Sequence, residues 1–138
     1  MFISPYEKVG GLVWVPRMLR KIRLRASGQL PDDYLPYMGL GFDRRCVRFL
    51  GVTYEALVER VATGGTDEEI LEWCFATGKR PSEVEIHVWN EYMIKRGWRD
   101  TDSPSIDLQE YKEKYGLGHR SDIRTYFDFY EVDEERKP

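Results

Sequence analysis

Arg17 and Lys21 stand one helical turn apart, a spacing that presents two cations to a single phosphate or carboxylate. Arg44, Arg45 and Arg48 follow in "FDRRCVRFL", and a helix there packed beside the first would join all five side chains into one basic surface. The chemistry this predicts is binding of an anionic small molecule or an acidic protein segment. Acid–base chemistry is the second reading. Asp128 lies between Phe127 and Phe129, the apolar flanks that raise a carboxyl pKa, and either Asp128 or Asp43 could pair with Lys21 in a pocket beneath the irregular segment 27–42. His87 is placed for proton transfer but assembles no catalytic constellation with its sequence neighbours. Cys46, Cys74, His87 and His119 are separated by 28, 13 and 32 positions, without the close ligand pairs of a zinc site, so no metal is predicted. Gly10-Gly11 is followed by no Gly-Lys-Ser/Thr and has no third spaced glycine, which excludes a phosphate loop and a dinucleotide fingerprint. No cofactor is expected.

These residues must be carried by helices. Between Trp14 or Val15 and about Ser27 the apolar residues recur at helical period, with Pro16 in the first turn and Gly28 as the stop. That period puts Val15, Met18, Leu19, Ile22 and Ala26 on one face and Arg17, Arg20 and Lys21 on the opposite, solvated one, with Gly10-Gly11 shaping the entry. Asp43 reads as the cap of "RRCVRFL" with Gly51 behind it, and Thr53 as the cap of "YEALVERVA". Thr66–Glu69 and Ser82–Glu85 have capping-box spacing and start two further helices. A sixth helix covers "SIDLQEYKEKY", and a seventh starts near Ser121 and carries "DIRTYFDFYE". Trp73, Trp89 and Trp98 are expected in the core. "LVWV" and "YFDFY" are rich in β-formers but lack hairpin partners. The fold class is all-α: a compact single-domain bundle of six to seven short helices over residues 1–138, its charged tail fraying from about residue 133.

Composition sets the outer limits. With 41% hydrophobic residues and four Trp, nine Tyr and six Phe, the chain can bury enough apolar surface to fold. The longest apolar run, Gly10 to Pro16, is far short of a membrane span, and the N-terminus has neither the basic start nor the cleavage site of a secretory signal, so a soluble cytoplasmic protein is expected. Cys46 and Cys74 read as packed thiols. Net charge is −3 but asymmetric, +4 in residues 1–60 and −7 in residues 61–138. The halves attract each other, or the first offers a patch to an anionic partner. A pI near 5.5 disfavours nucleic acid, which needs net positive potential. Aromatics on the last helix would support self-association if they were exposed.

Taken in order, "SPYEKVGGLVWVPRMLRKIR", "FLGVTYEALVERVATGGTDEEILEW" and "DIRTYFDFYEVDEE" resemble a bacterial family known only as a domain of unknown function, over about residues 4–133. Pro16, Arg17 and Lys21 match its first helix, Asp67, Glu68, Glu69 and Trp73 its middle motif, and Asp122, Thr125, Phe127 and Asp128 its last. Arg20 stands where the family has Asp, and Tyr126 where it has Trp. Losing that acid weakens an Asp–Lys catalytic pair on the first helix. The resemblance implies no activity and no cofactor.

Overall fold

The computed structural model describes residues 1–138 and is mostly helical. Strands β1 (Lys8–Val9) and β2 (Leu12–Val13) form an antiparallel pair, with Lys8 opposite Val13 and Val9 opposite Leu12. Gly10 and Gly11 close it at φ +57° and +80°, the successive positive angles of a primed two-residue turn. They do not simply shape a helix entry as the sequence suggested. A methyl group at Gly10 would lie 2.5 Å from Leu71 Cδ2, so the site also requires close approach. The all-α expectation therefore holds for the bulk of the chain and fails at this small ribbon.

Seven α-helices follow: α1 (Val15–Ala26), α2 (Phe42–Leu50), α3 (Tyr54–Ala62), α4 (Asp67–Thr77), α5 (Glu83–Lys95), α6 (Pro104–Lys114) and α7 (Tyr126–Asp133). A 3-10 helix over Asp32–Tyr37 orders the segment between α1 and α2, making eight helices in all where sequence predicted six to seven. Both capping boxes form, each with its reciprocal pair of bonds. Thr53 caps α3 and Thr125 caps α7, so the last helix starts well after Ser121. Asp43 does not cap α2. Gly41 occupies that position, and Asp43 sits inside the first turn with its side chain turned into the protein.

Leu12, Val13, Met18, Leu19 and Ile22 form a common core with Leu50, Leu57, Ile70, Met93 and Phe127. Leu108, Ile123 and Phe129 make a smaller cluster where α6 meets α7. Val15, Met18, Leu19 and Ile22 are buried as the helical period predicts, but Ala26 is exposed. The opposite face is a correction. Arg17 is 1% exposed and Lys21 6%, because the chain's N-terminal residues, α2 and the end of α7 close over that side of α1. An amphipathic period reports which side is apolar; it does not report what covers the other side.

Trp89 is buried, Trp73 half-buried, and Trp98 exposed, so the third tryptophan leaves the predicted core. Phe127 and Phe129 face inward, and Tyr126 and Tyr130 are half-buried. Beyond α7, where fraying was expected, Glu134 and Arg136 are drawn onto the protein by ion pairs. No helix is long and apolar enough to cross a membrane.

Candidate functional site: an aromatic cavity with buried cations

Trp14 begins the site. Its φ of +77° is a strained conformation for a bulky side chain and persists only where the surroundings enforce it. The Trp14 backbone N–H donates to the Pro5 carbonyl at 3.1 Å, and the indole Nε1–H donates to Asp43 Oδ1 at 2.9 Å. These two bonds set the ring between α1 and α2, with the Lys21 ammonium 5.0 Å and the Arg17 guanidinium 5.5 Å from its centroid. Both distances lie within cation–π range.

Asp43 joins three elements. Besides the indole it accepts from Lys21 Nζ at 3.1 and 3.0 Å and from the Gly39 N–H at 3.2 Å, which fastens the segment above the site to α2. Burial pulls the Lys21 pKa below the ordinary lysine value; Asp43 opposes that shift and neighbouring Arg17 adds to it. Arg17 forms a two-pronged pair with Glu134, Nη1 to Oε1 and Nη2 to Oε2 at 2.7 Å each, while Nη1 also donates to the Ile3 carbonyl. Tyr34 donates to the same carboxylate at 2.9 Å. Burial pushes the Glu134 carboxyl up, but Arg17, Arg136 and Tyr34 outweigh it and hold the group below the usual glutamate range. Tyr130 lies over the Arg17 guanidinium at 4.5 Å, and burial raises its hydroxyl pKa.

Above these groups lies a cavity of about 340 Å³. Trp14, Phe42, Tyr111, Tyr126, Phe129 and Tyr130 supply flat apolar walls, and Tyr37, Leu40 and Gly41 of the 27–42 segment form part of its cover. Arg17, Lys21, Arg45 and Arg96 also line it. The first two and Arg96 are buried, whereas the lining carboxylates Asp33, Asp102, Asp107 and Asp133 are exposed at the rim. In depth the buried cations are answered by Asp43, Glu134 and Asp100, and further acids stand at the edge. Arg96 pairs with Asp100 and Asp102, at 3.3 and 3.2 Å. Arg45 makes no ion pair.

The five basic residues singled out in the sequence therefore separate. Arg17, Lys21 and Arg45 reach the cavity, while Arg44 and Arg48 stay on exposed surface away from it. The single basic face does not form. Of the two acids proposed for Lys21, Asp43 meets it and Asp128 does not: Asp128 accepts from the Arg124 N–H at 3.1 Å and serves the start of α7. His87 is exposed, and no group of His, Cys, Asp or Glu is arranged to hold a metal ion. Cys46 and Cys74 are both buried, and burial drives the Cys46 thiol well above its ordinary pKa, the state of a packing residue rather than a nucleophile.

Sequence reasoning missed Arg96, Trp14 and the tyrosines of α6. The signal for the tyrosines was present in "EYKEKY", where Tyr111 and Tyr115 stand one turn apart and stack at 6.1 Å. Arg96 had none, since its role depends on where α5 ends.

Fold and site together define a small helical domain with an aromatic cavity lined in part by buried cations. The chain belongs to the family described as a domain of unknown function, DUF5069, whose model matches residues 1–136. No curated protein and no solved structure matches it.

Proposed function

We propose that this domain binds a small organic molecule with a flat apolar body in the cavity beneath residues 27–42. The observation that carries this reading is the concave cleft of about 340 Å³ with aromatic walls, within the range of small-molecule pockets. Aromatic walls favour a planar guest through apolar burial and offset stacking. A basic outer surface for an acidic protein segment has less support, because burial removes Arg17 and Lys21 from it.

2-Naphthol is a suitable neutral probe. Its addition should shift the Trp14 indole N–H resonance and those of Tyr111 and Tyr126. Ser103→Trp, which places a bulky ring at an exposed position on the cavity lining, should suppress those shifts without unfolding the domain. Absence of shifts at millimolar probe, or shifts unaffected by Ser103→Trp, would overturn the reading.

One observation favours a second, enzymatic reading. Lys21 lines the cavity and pairs with Asp43 behind it, and burial lowers the lysine's pKa, the direction that favours a neutral, reactive amine. Selective reductive trapping of 2-naphthaldehyde on Lys21 by cyanoborohydride, mapped by peptide mass, would support a reactive amine there. Labelling confined to exposed lysines would leave Lys21 as Asp43's ion-pair partner alone.

A further inference from the structure

Hydrogen-bond accounting around the cavity is unbalanced. Arg17 Nε and Arg96 Nε are buried and find no acceptor in the protein, and both residues line the cavity. Buried polar groups are nearly always paired, so each such orphan marks something the protein has left open. Lys21 has three ammonium protons and directs its bonds to the two oxygens of Asp43 alone. Arg45 has no carboxylate partner. Asp43, Glu134 and Asp100 answer part of this donor set from within, yet donors on Arg17, Arg45 and Arg96 remain unused, and the acids of the cavity lining stay at the solvent edge.

Two of the cations lining the cavity are Arg45 on α2 and Arg96 just past α5. Arg96 donates to Asp102 at 3.2 Å. Arg45 lies 5.9 Å from the Phe42 ring centroid and is half-buried. It therefore has an apolar support and a free hydrogen-bonding edge. An unused buried N–H on Arg96 and an unpaired guanidinium on Arg45, both on the cavity lining, suit the hydrogen-bonded recognition that arginine gives to oxyanions.

We infer that the occupant of this cavity is an aromatic oxyanion, a flat ring system bearing a carboxylate or similar acidic head that is held by Arg45 and Arg96 while its body lies among Tyr111, Tyr126 and Phe129. This inference rests on the ligand-binding reading above and narrows it to a chemical class. The tyrosine faces alone would equally suit an organic cation. The unfilled donors decide for the anion, because a cation would leave every one of them without an acceptor.

The test compares 2-naphthoate with 2-naphthamide, which share a ring and nearly a shape but differ in charge, by titration calorimetry. The carboxylate should bind at least about tenfold more tightly, in keeping with a charge-assisted, bidentate contact. Arg45→Met should weaken 2-naphthoate far more than 2-naphthamide and so bring the two affinities together; thermal melting of the variant confirms that it remains folded. Equal binding of the two probes by the unaltered protein, tighter binding of the amide, or tighter binding of a naphthyl trimethylammonium ion would overturn the anionic assignment while leaving the cavity a binding site. Failure of all these probes and of 2-naphthol to bind would remove both readings. A preference for 2-naphthoate that survives Arg45→Met would overturn the assignment of the head to Arg45.

Discussion

Helices α1 and α5 reverse each other's exposure. α1 buries two cations, Arg17 and Lys21, while α5 leaves Val84 72% exposed and Val88 58% exposed. Intrinsic polarity predicts the opposite for both. The difference lies in what each helix faces. α1 is enclosed on both sides, so its charged side had to find acids, and it found Glu134 and Asp43 at the far end of the chain and on α2. α5 packs on one side only, through Trp89 and Met93, and its remaining apolar residues stay at the surface, where scattered valines are tolerated. Burial of a charge thus requires specific partners, whereas exposure of a valine requires nothing.

The sharpest way to break the comparison is Arg17→Ala. Removing one member of a buried ion pair should lower stability by about 3–5 kcal/mol, since Glu134 loses its main partner within the protein. Chemical denaturation checks this, and a loss below about 0.5 kcal/mol would return Arg17 to the solvated face assigned from sequence.

A smaller effect is expected from pH. Glu134 has a folded pKa below its ordinary value of 4.5, so the stability it contributes is fully present above that value and is lost as pH falls through the lower, folded one. Melting temperature should therefore decline below about pH 4.5, and Glu134→Gln should flatten that decline while lowering stability at neutral pH. A decline of unchanged steepness in the variant would assign the acid sensitivity to other carboxylates.

Local signals should give still smaller changes. Thr66→Ala removes one half of a capping box and should destabilise by about 1 kcal/mol. Val88→Ala, on the exposed face of α5, should stay within about 0.5 kcal/mol in the same denaturation assay. A large loss at Val88 would mean that this face is covered.

The ranking follows how much of the structure could be read along the chain. Thr66–Glu69 and Ser82–Glu85 were legible because both partners lie within one turn and their bonding is fixed by spacing. The apolar face of α1 was legible for the same reason. Arg17 and Glu134 are 117 positions apart, and no local pattern announces such a pair. Asp43 was misread because a carboxylate before a helical run usually caps it, whereas here α2 begins two residues earlier than that reading and turns the carboxylate inward. The 27–42 segment stood out in the sequence as irregular, but the aromatic residues it meets arrive from α6 and α7, and only the folded chain brings them together.

Arg17 also binds the two ends of the chain to each other, through Ile3 on one side and Glu134 on the other. During synthesis α1 is complete long before residue 134 leaves the ribosome, so its guanidinium must wait, solvated, for an acid not yet made. The hairpin and helices α2 to α5 can assemble meanwhile, but the side of α1 that floors the cavity closes only when the last helix arrives. A nascent or truncated chain ending before residue 134 therefore lacks the acid that Arg17 needs, and its first helix stays open there while Lys21 already has Asp43.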